Sequence, residues 1–324
     1  MRLGMYCNYT EKTAEFASRV GFESMELAVW SRSTVNPNIT DGELARVMKD
    51  LEKRDIEISA IGCYPNHIHP DKEFAKDNQA YFHKVIDLAH RMGVTVIGTH
   101  GGNDYFKSIE ENIPEWKECF YSYCDHAAKY GVKIAIENCP MVDVKTQFRN
   151  NLAYSPEIWE VLFGVLPAEN LGLEFDPAHM IWQGIDYVQA VLDFGHKIFH
   201  VHAKDVEVRR KQWAKYGMFG PQIGNDKYRK GPRSATWCAG WDHHWRGRAV
   251  GWGDVNWPKF ISALVEVGYE GNMDVEHEDK VFLKQMLAQL DISEEQDLIN
   301  NYSTEENGLI LAYNHLRPLV PPHR

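Results

Sequence analysis

Short runs rich in aliphatic and β-branched residues recur eight times along this chain, and stretches of helical period fill most of the gaps between them. The strand-like runs fall at 3–6, 24–29, 56–61, 95–99, 133–137, 171–176, 198–203 and 272–276. Apolar residues at helical spacing predict helices at 11–20, 40–54, 74–92, 116–130, 156–165, 187–194 and 258–267, with an eighth at 281–290. Gly21, Gly93, Gly131 and Gly268 stand just past helix ends, where a left-handed residue closes the last turn. Strand and helix alternating eight times predict one α/β domain, a closed (β/α)8 barrel. The 324 residues exceed the roughly 250 typical of such barrels. The surplus falls in a long loop after strand 7, 205–250, and in a C-terminal helical extension, 291–324, beyond a barrel core of about 1–290. Ser303 and Glu306 offer a capping box for a last helix on the barrel's outside, running to about Leu316. Two doubly wound domains would use the same elements, but no Gly-x-Gly-x-x-Gly turn follows the first strand, and no nucleotide cofactor is expected.

Charge and composition narrow the function further. There are 46 acidic side chains against 35 basic ones, a formal net charge of −11. Binding nucleic acid requires basic surface to displace counterions, so no nucleic-acid partner is expected. The first twelve residues hold Arg2, Glu11 and Lys12 and no apolar run of signal-peptide length, and no uncharged apolar stretch of about 18 residues occurs. Neither export nor a membrane is expected. The six cysteines (7, 63, 119, 124, 139 and 238) form no Cys-x-x-Cys pair and read as reduced thiols of a cytoplasmic protein.

The strand registers carry the functional information, because side chains alternate between the helix-covered face and the barrel interior. With Ile134 and Ile136 outward, Ala135 and Glu137 point in; with Leu173 and Phe175 outward, Glu174 and Asp176 point in. The same parity turns His200, His202 and Lys204 inward on the seventh strand, and Asp274 and Glu276 on the eighth. Glu26 and Trp30 join them from the second strand and His100 from the fourth. Barrel interiors are normally filled with branched apolar side chains. Burying unpaired charge costs several kcal/mol per group, and a cation answers that cost directly. Glu137, Asp176, His202 and Glu276 end four consecutive strands and can converge near the axis. Three carboxylates and one imidazole suit Mn2+ best, with Mg2+, Co2+, Fe2+ or Zn2+ as other choices, and leave positions for two adjacent sugar oxygens.

Several stretches resemble the sugar isomerase/epimerase TIM barrels related to xylose isomerase and endonuclease IV. They are Ile136-Glu137-Asn138-Cys139-Pro140, Phe175-Asp176-Pro177-Ala178-His179, His200-Val201-His202-Ala203-Lys204-Asp205, Gly251-Trp252-Gly253-Asp254-Val255-Asn256-Trp257 and Val275-Glu276-His277-Glu278. Among longer members, the chain is similar to the catalytic subunits of C-glycoside deglycosidases. The resemblance implies that Glu137, Asp176, His202 and Glu276 are metal ligands and that His179 contacts substrate hydroxyls. Ketose epimerases of this kind carry a second catalytic glutamate six residues after the first ligand, and here that position is Asp143. Asp143, His179, Lys204 and His100 are therefore all candidates for the second acid/base.

The remaining candidates follow from local context. His100 ends its strand beside Gly101 and Gly102, where a ligand can approach the backbone closely. His67 and His69 read as a polar rim, Trp30 as an apolar wall for a sugar face, and Cys139 as a packed thiol. Trp241-Asp242-His243-His244-Trp245 has the look of a metal motif without a third partner. The 205–250 segment holds ten basic against four acidic residues, interleaved with aromatics that want burial. It reads as an ordered excursion over the mouth that supplies Arg248 and aromatic walls, or as a subunit interface. An oligomer is expected, of identical chains or with a small second subunit.

Together these features predict a metal-dependent sugar isomerase or epimerase that removes a proton beside a carbonyl to give a metal-held enediolate. Two alternatives share the ligands: elimination of the aglycone from a 3-keto-glycoside, and an endonuclease IV-like phosphodiesterase.

Overall fold

In the computed structural model, residues 1–142, 148–218, 244–279, 281–282 and 305–322 are described. In chain order the strands are β1 (Arg2–Cys7), β2 (Ser24–Ala28), β3 (Glu57–Gly62), β4 (Val96–Thr99), β5 (Lys133–Glu137), β6 (Leu171–Phe175), β7 (Ile198–Ala203), β8 (Asp205–Val208), β9 (Trp245–Arg248) and β10 (Asn272–Val275). Eight of them close into a barrel in the order β1-β10-β7-β6-β5-β4-β3-β2, every pair parallel. All eight strand-like runs of the sequence are in it. The helices are α1 (Glu11–Val20), α2 (Asp41–Lys53), α3 (Lys72–Met92), α4 (Ile109–Ala128), α5 (Pro156–Val165), α6 (Pro177–Gln183), α7 (Tyr187–Phe194), α8 (Arg210–Tyr216), α9 (Trp257–Glu266) and α10 (Glu306–Leu316).

Local chemistry sets the helix ends. Thr10, Thr40 and Ser108 each head a capping box, taking the N3 amide on the side chain while the N3 side chain reaches back. The Ser108 box starts α4 at Ile109, seven residues before the periodic pattern, and Pro114 lies inside the added turns without stopping the helix. The four helix-ending glycines all adopt positive φ. α10 ends at Leu316 as expected, but its cap is Glu305, whose carboxylate accepts the amides of Asn307 and Gly308. Ser303 lies outside the described residues, as do most of 281–290. α10 packs against α1, β1 and β10, with Tyr313 edge-on to Phe22 and Arg317 2.7 Å from Glu23.

Two features are absent from the sequence reading. α6 follows Asp176 at once, with Asp176 as N-cap and Pro177 in the first turn, and its seven residues are too few to show a period. Inside the long loop, β8 and β9 pair antiparallel, Asp205 opposite Arg248. The Asp205 carboxylate accepts the amides of Gly251, Gly253 and Val255 and the Trp257 indole N–H, at 2.8, 3.2, 3.1 and 3.0 Å. It thereby clasps the two ends of the excursion together. Residues 219–243 lie outside the described residues.

Gly62 and Gly98 make room for charge inside the barrel. A methyl at Gly62 would overlap the Glu26 carboxylate, and one at Gly98 the Glu174 carboxylate. Gly98→Ala is expected to cost about 1–3 kcal/mol of stability through overpacking, read from the urea midpoint. A variant as stable as the parent would show that the interior yields.

Candidate active site

Four strand tips meet at the C-terminal mouth of the barrel. One ligand-type atom from each of Glu137, Asp176, His202 and Glu276 lies within 4.8 Å of the others. Glu137 ends β5 and is fixed from outside by Asn151, whose amide donates to the Glu137 and Cys139 carbonyls at 2.8 and 2.7 Å. Asn138 spans to the next strand, donating to the Asp176 carbonyl and accepting the Asp176 amide, both at 2.8 Å. Asp176 Oδ1 caps α6 through the Ala178 amide. Its Oδ2 stands 3.2 Å from His179 Nε2, one helical turn on, yet neither atom has a partner in hydrogen-bonding geometry. His202 Nδ1 is 3.3 Å from both Glu137 Oε1 and Glu276 Oε2. Glu276 is 3.1 Å from Lys204, which also pairs with Glu278 at 2.8 Å.

The electrostatics follow from burial set against these neighbours. Burial pushes the Glu137 carboxyl up, but the imidazoles of His100, His179 and His202 around it outweigh it and hold it well below the carboxylate range. Burial dominates at Asp176, which rises to about 6 against the pull of His179 and Lys204. Burial also opposes ionisation of Glu276, where Lys204 and His202 prevail and lower it. A buried Asp176 oxygen without a partner, ringed by oxygen and nitrogen donors, has the composition of a site for one hard divalent cation. The residues fit that group.

Other predicted site residues are distributed more widely. His100 Nε2 reaches Glu137 Oε2 at 3.0 Å. Trp30 is half-buried and lies beside the Tyr6 hydroxyl. His67 is not part of the rim: it is wholly buried, with Nε2 2.8 Å from Thr99 and Nδ1 2.9 Å from the Tyr123 hydroxyl. His69 instead sits against Tyr105 and Phe74. Arg248 is committed to Asp279 and Glu207, at 3.0 and 2.8 Å, and lies over Trp252. His244 is buried between Trp182 and Trp213, and Asp143 lies outside the described residues.

Tyr6, Tyr64 and Trp182 also border the site, though no sequence feature had pointed to them. Tyr64 donates its hydroxyl at 2.6 Å to Glu26 and approaches Glu174 at 2.8 Å, and its ring and that of Tyr6 border His202. Tyr64 lies two residues beyond Gly62, which faces the barrel interior, and shares its parity. Cys139 is a buried free thiol; burial raises its pKa, but His179 and His100 more than offset this and bring it below the ordinary thiol value. The hairpin approaches the site through Trp245, stacked on Trp182 with ring centroids 5.0 Å apart, while the Trp182 indole N–H lies 3.4 Å from His179 Nδ1. The five cysteines among the described residues are buried free thiols, and no helix among those residues is long and apolar enough to cross a membrane.

Comparison with known proteins is consistent with this architecture. The family described as the xylose isomerase-like TIM barrel matches residues 14–302. An uncharacterised Bacillus subtilis protein, YfiH, is 26% identical over 298 residues, covering 83% of this chain and 88% of its own length. Among solved structures, a D-psicose 3-epimerase crystallised in the presence of D-fructose superposes with a TM-score of 0.68 at 15% identity, covering 99% of both chains. A probable 3-DHS dehydratase from Bacillus anthracis, involved in petrobactin synthesis, gives 0.62 at 17% identity over 95% of this chain and 98% of that one. At such identities the structural likeness is one of fold.

Proposed function

Because the chain belongs to the xylose isomerase-like TIM-barrel family, we propose that it is a divalent-metal-dependent isomerase or epimerase acting on a keto-sugar. The observation that carries this reading is the convergence of three carboxylates and one imidazole at the barrel mouth. Glu137, Asp176, His202 and Glu276 would hold the cation, Mn2+ by the hardness of the donor set. When bound, such an ion supplies Lewis-acid polarisation of the substrate carbonyl.

The protein's own groups supply the proton chemistry. Glu276, kept ionised by Lys204, takes the proton from the carbon beside the carbonyl. His100 and His179 donate to the oxygen on which charge develops. For His100, burial disfavours the charged ring, but the Cys139 and Glu137 side chains beside it outweigh this and raise it to about 9. Trp30, with the Tyr6 hydroxyl beside it, gives the sugar an apolar wall. Asp143 or His179 returns a proton to the carbon. Lys204 serves as a substrate contact and as the counter-charge to Glu276. The whole chain acts as one domain, with the β8–β9 hairpin beside the mouth.

A second reading is elimination from a 3-keto-glycoside. It is favoured by the shorter Asp143 at the position where the ketose epimerases of the resemblance carry glutamate. One experiment separates the two: the Mn2+-loaded protein is incubated in D2O with ketoses and 3-keto-glycosides and followed by NMR. Deuterium wash-in without bond loss is the expected result, and aglycone release indicates the lyase. No exchange with any carbonyl sugar would remove both.

A further inference from the structure

Beneath the strand tips lies a second buried layer of charge that the proposed chemistry does not use. Glu26 of β2, Glu174 of β6, His200 of β7 and Asp274 of β10 are all but sealed from solvent. Asp274 accepts the hydroxyls of Ser24 and Ser59, and its Oδ2 is 3.0 Å from His200 Nε2. Glu26 lies 3.2 Å from the same nitrogen through Oε2, while Tyr64 holds its Oε1. The absent side chain at Gly62 lets this carboxylate lie against the barrel wall.

His202 stands between the layers with one ring nitrogen in each. Its Nδ1 faces Glu137 and Glu276, and its Nε2 lies 2.7 Å from Glu26 Oε2. Glu174 Oε1 is 3.6 Å away, beyond hydrogen-bond range. A neutral imidazole has one N–H and one lone pair, and the partner of the N–H decides which nitrogen is free to ligate. A cation among Glu137, Asp176 and Glu276 needs the lone pair on Nδ1. The proton must then sit on Nε2, deep in the barrel, where an acceptor has to be built in. Among the described residues, Glu26 supplies it.

We propose that Glu26 is a positioning residue: by accepting the Nε2–H of His202 it fixes the ring and its tautomer, so that Nδ1 is presented to a divalent cation. This rests on the reading of Glu137, Asp176, His202 and Glu276 as the ligand set. A carboxylate behind a ligating histidine also raises the basicity of the ring, and losing such a partner typically weakens metal binding by 10–100-fold.

The test is Mn2+ titration followed by electron paramagnetic resonance, on the full-length wild type, Glu26→Gln, Glu174→Gln and His202→Ala. Glu26→Gln is expected to bind Mn2+ about 10–100-fold more weakly, and Glu174→Gln within about threefold of the wild type. Equal affinity for Glu26→Gln and wild type, or equal losses in both glutamine variants, would overturn the proposal. A wild type that binds no Mn2+, or a His202→Ala protein that binds it undiminished, would instead overturn the ligand set itself. A second measurement needs no substitution and so survives any folding failure. In the wild type loaded with Zn2+ and carrying 15N-labelled histidine, NMR is expected to show His202 protonated at Nε2 and metal-bound at Nδ1. The opposite assignment would sink the proposal.

Discussion

Glu276→Gln is expected to lower deuterium exchange between a bound keto-sugar and D2O by about 10²–10⁴-fold, the range for loss of a positioned general base. The substitution keeps the size of the side chain and removes its charge. Lys204 retains Glu278 at 2.8 Å, so its ammonium stays paired and the barrel should keep its urea midpoint. Glu276 is also a proposed ligand, so the rates are compared at saturating Mn2+, which separates a weakened site from a lost base. Exchange at the parental rate in a metal-saturated Glu276→Gln protein would exclude this carboxylate as the base.

The second large effect concerns stability in acid. Burial, with smaller contributions from His100 and His83, pushes His67 down to about 3, against about 6.5 in an unfolded chain. The native state therefore requires the neutral ring. Its contribution is complete above pH 6.5 and is lost as the pH falls towards 3, by up to about 5 kcal/mol in all. His67→Gln cannot titrate. At pH 7.5 it should be less stable than the parent by about 1–3 kcal/mol, having lost the fit to Thr99 and Tyr123. By pH 4 the parent has given up about 3 kcal/mol that the variant never had. The gap between their urea unfolding free energies should accordingly close or change sign. A gap that stays constant over this range would mean that His67 does not control the acid limb.

The barrel was legible because each strand needed only its own alternation. Ile134 and Ile136 point at helices, and that alone turns Glu137 inward wherever the neighbouring strands lie. The four mouth residues were legible for the same reason: each is the last inward position of its strand. His67 was misread because its surroundings come from α3 and α4 through Phe82, Phe120 and Tyr123, contacts that no local pattern encodes. Arg248 was expected as a substrate contact from the excursion, but its ion-pair partners lie 41 residues before it and 31 after it, beyond any local pattern. α6 escaped because a seven-residue helix has too few turns to show a period, although Asp176-Pro177 is a start signal. The role of Glu26 could not be read from an inward-facing position alone. It depends on which nitrogen of His202 faces down, a matter of ring orientation.

The Asp205 clasp bears on how proteins of this architecture can diverge. It fastens the two ends of a 40-odd-residue excursion with one buried carboxylate, so the anchoring does not depend on the length of chain between them. Doubling the length of such a loop adds only about 0.6 kcal/mol of closure entropy. Insertions between the clasped ends therefore carry little closure penalty, whereas changes to the buried charge cluster at the mouth strip partners from its members. New specificities can be tried in the excursion while the reaction centre is inherited unchanged.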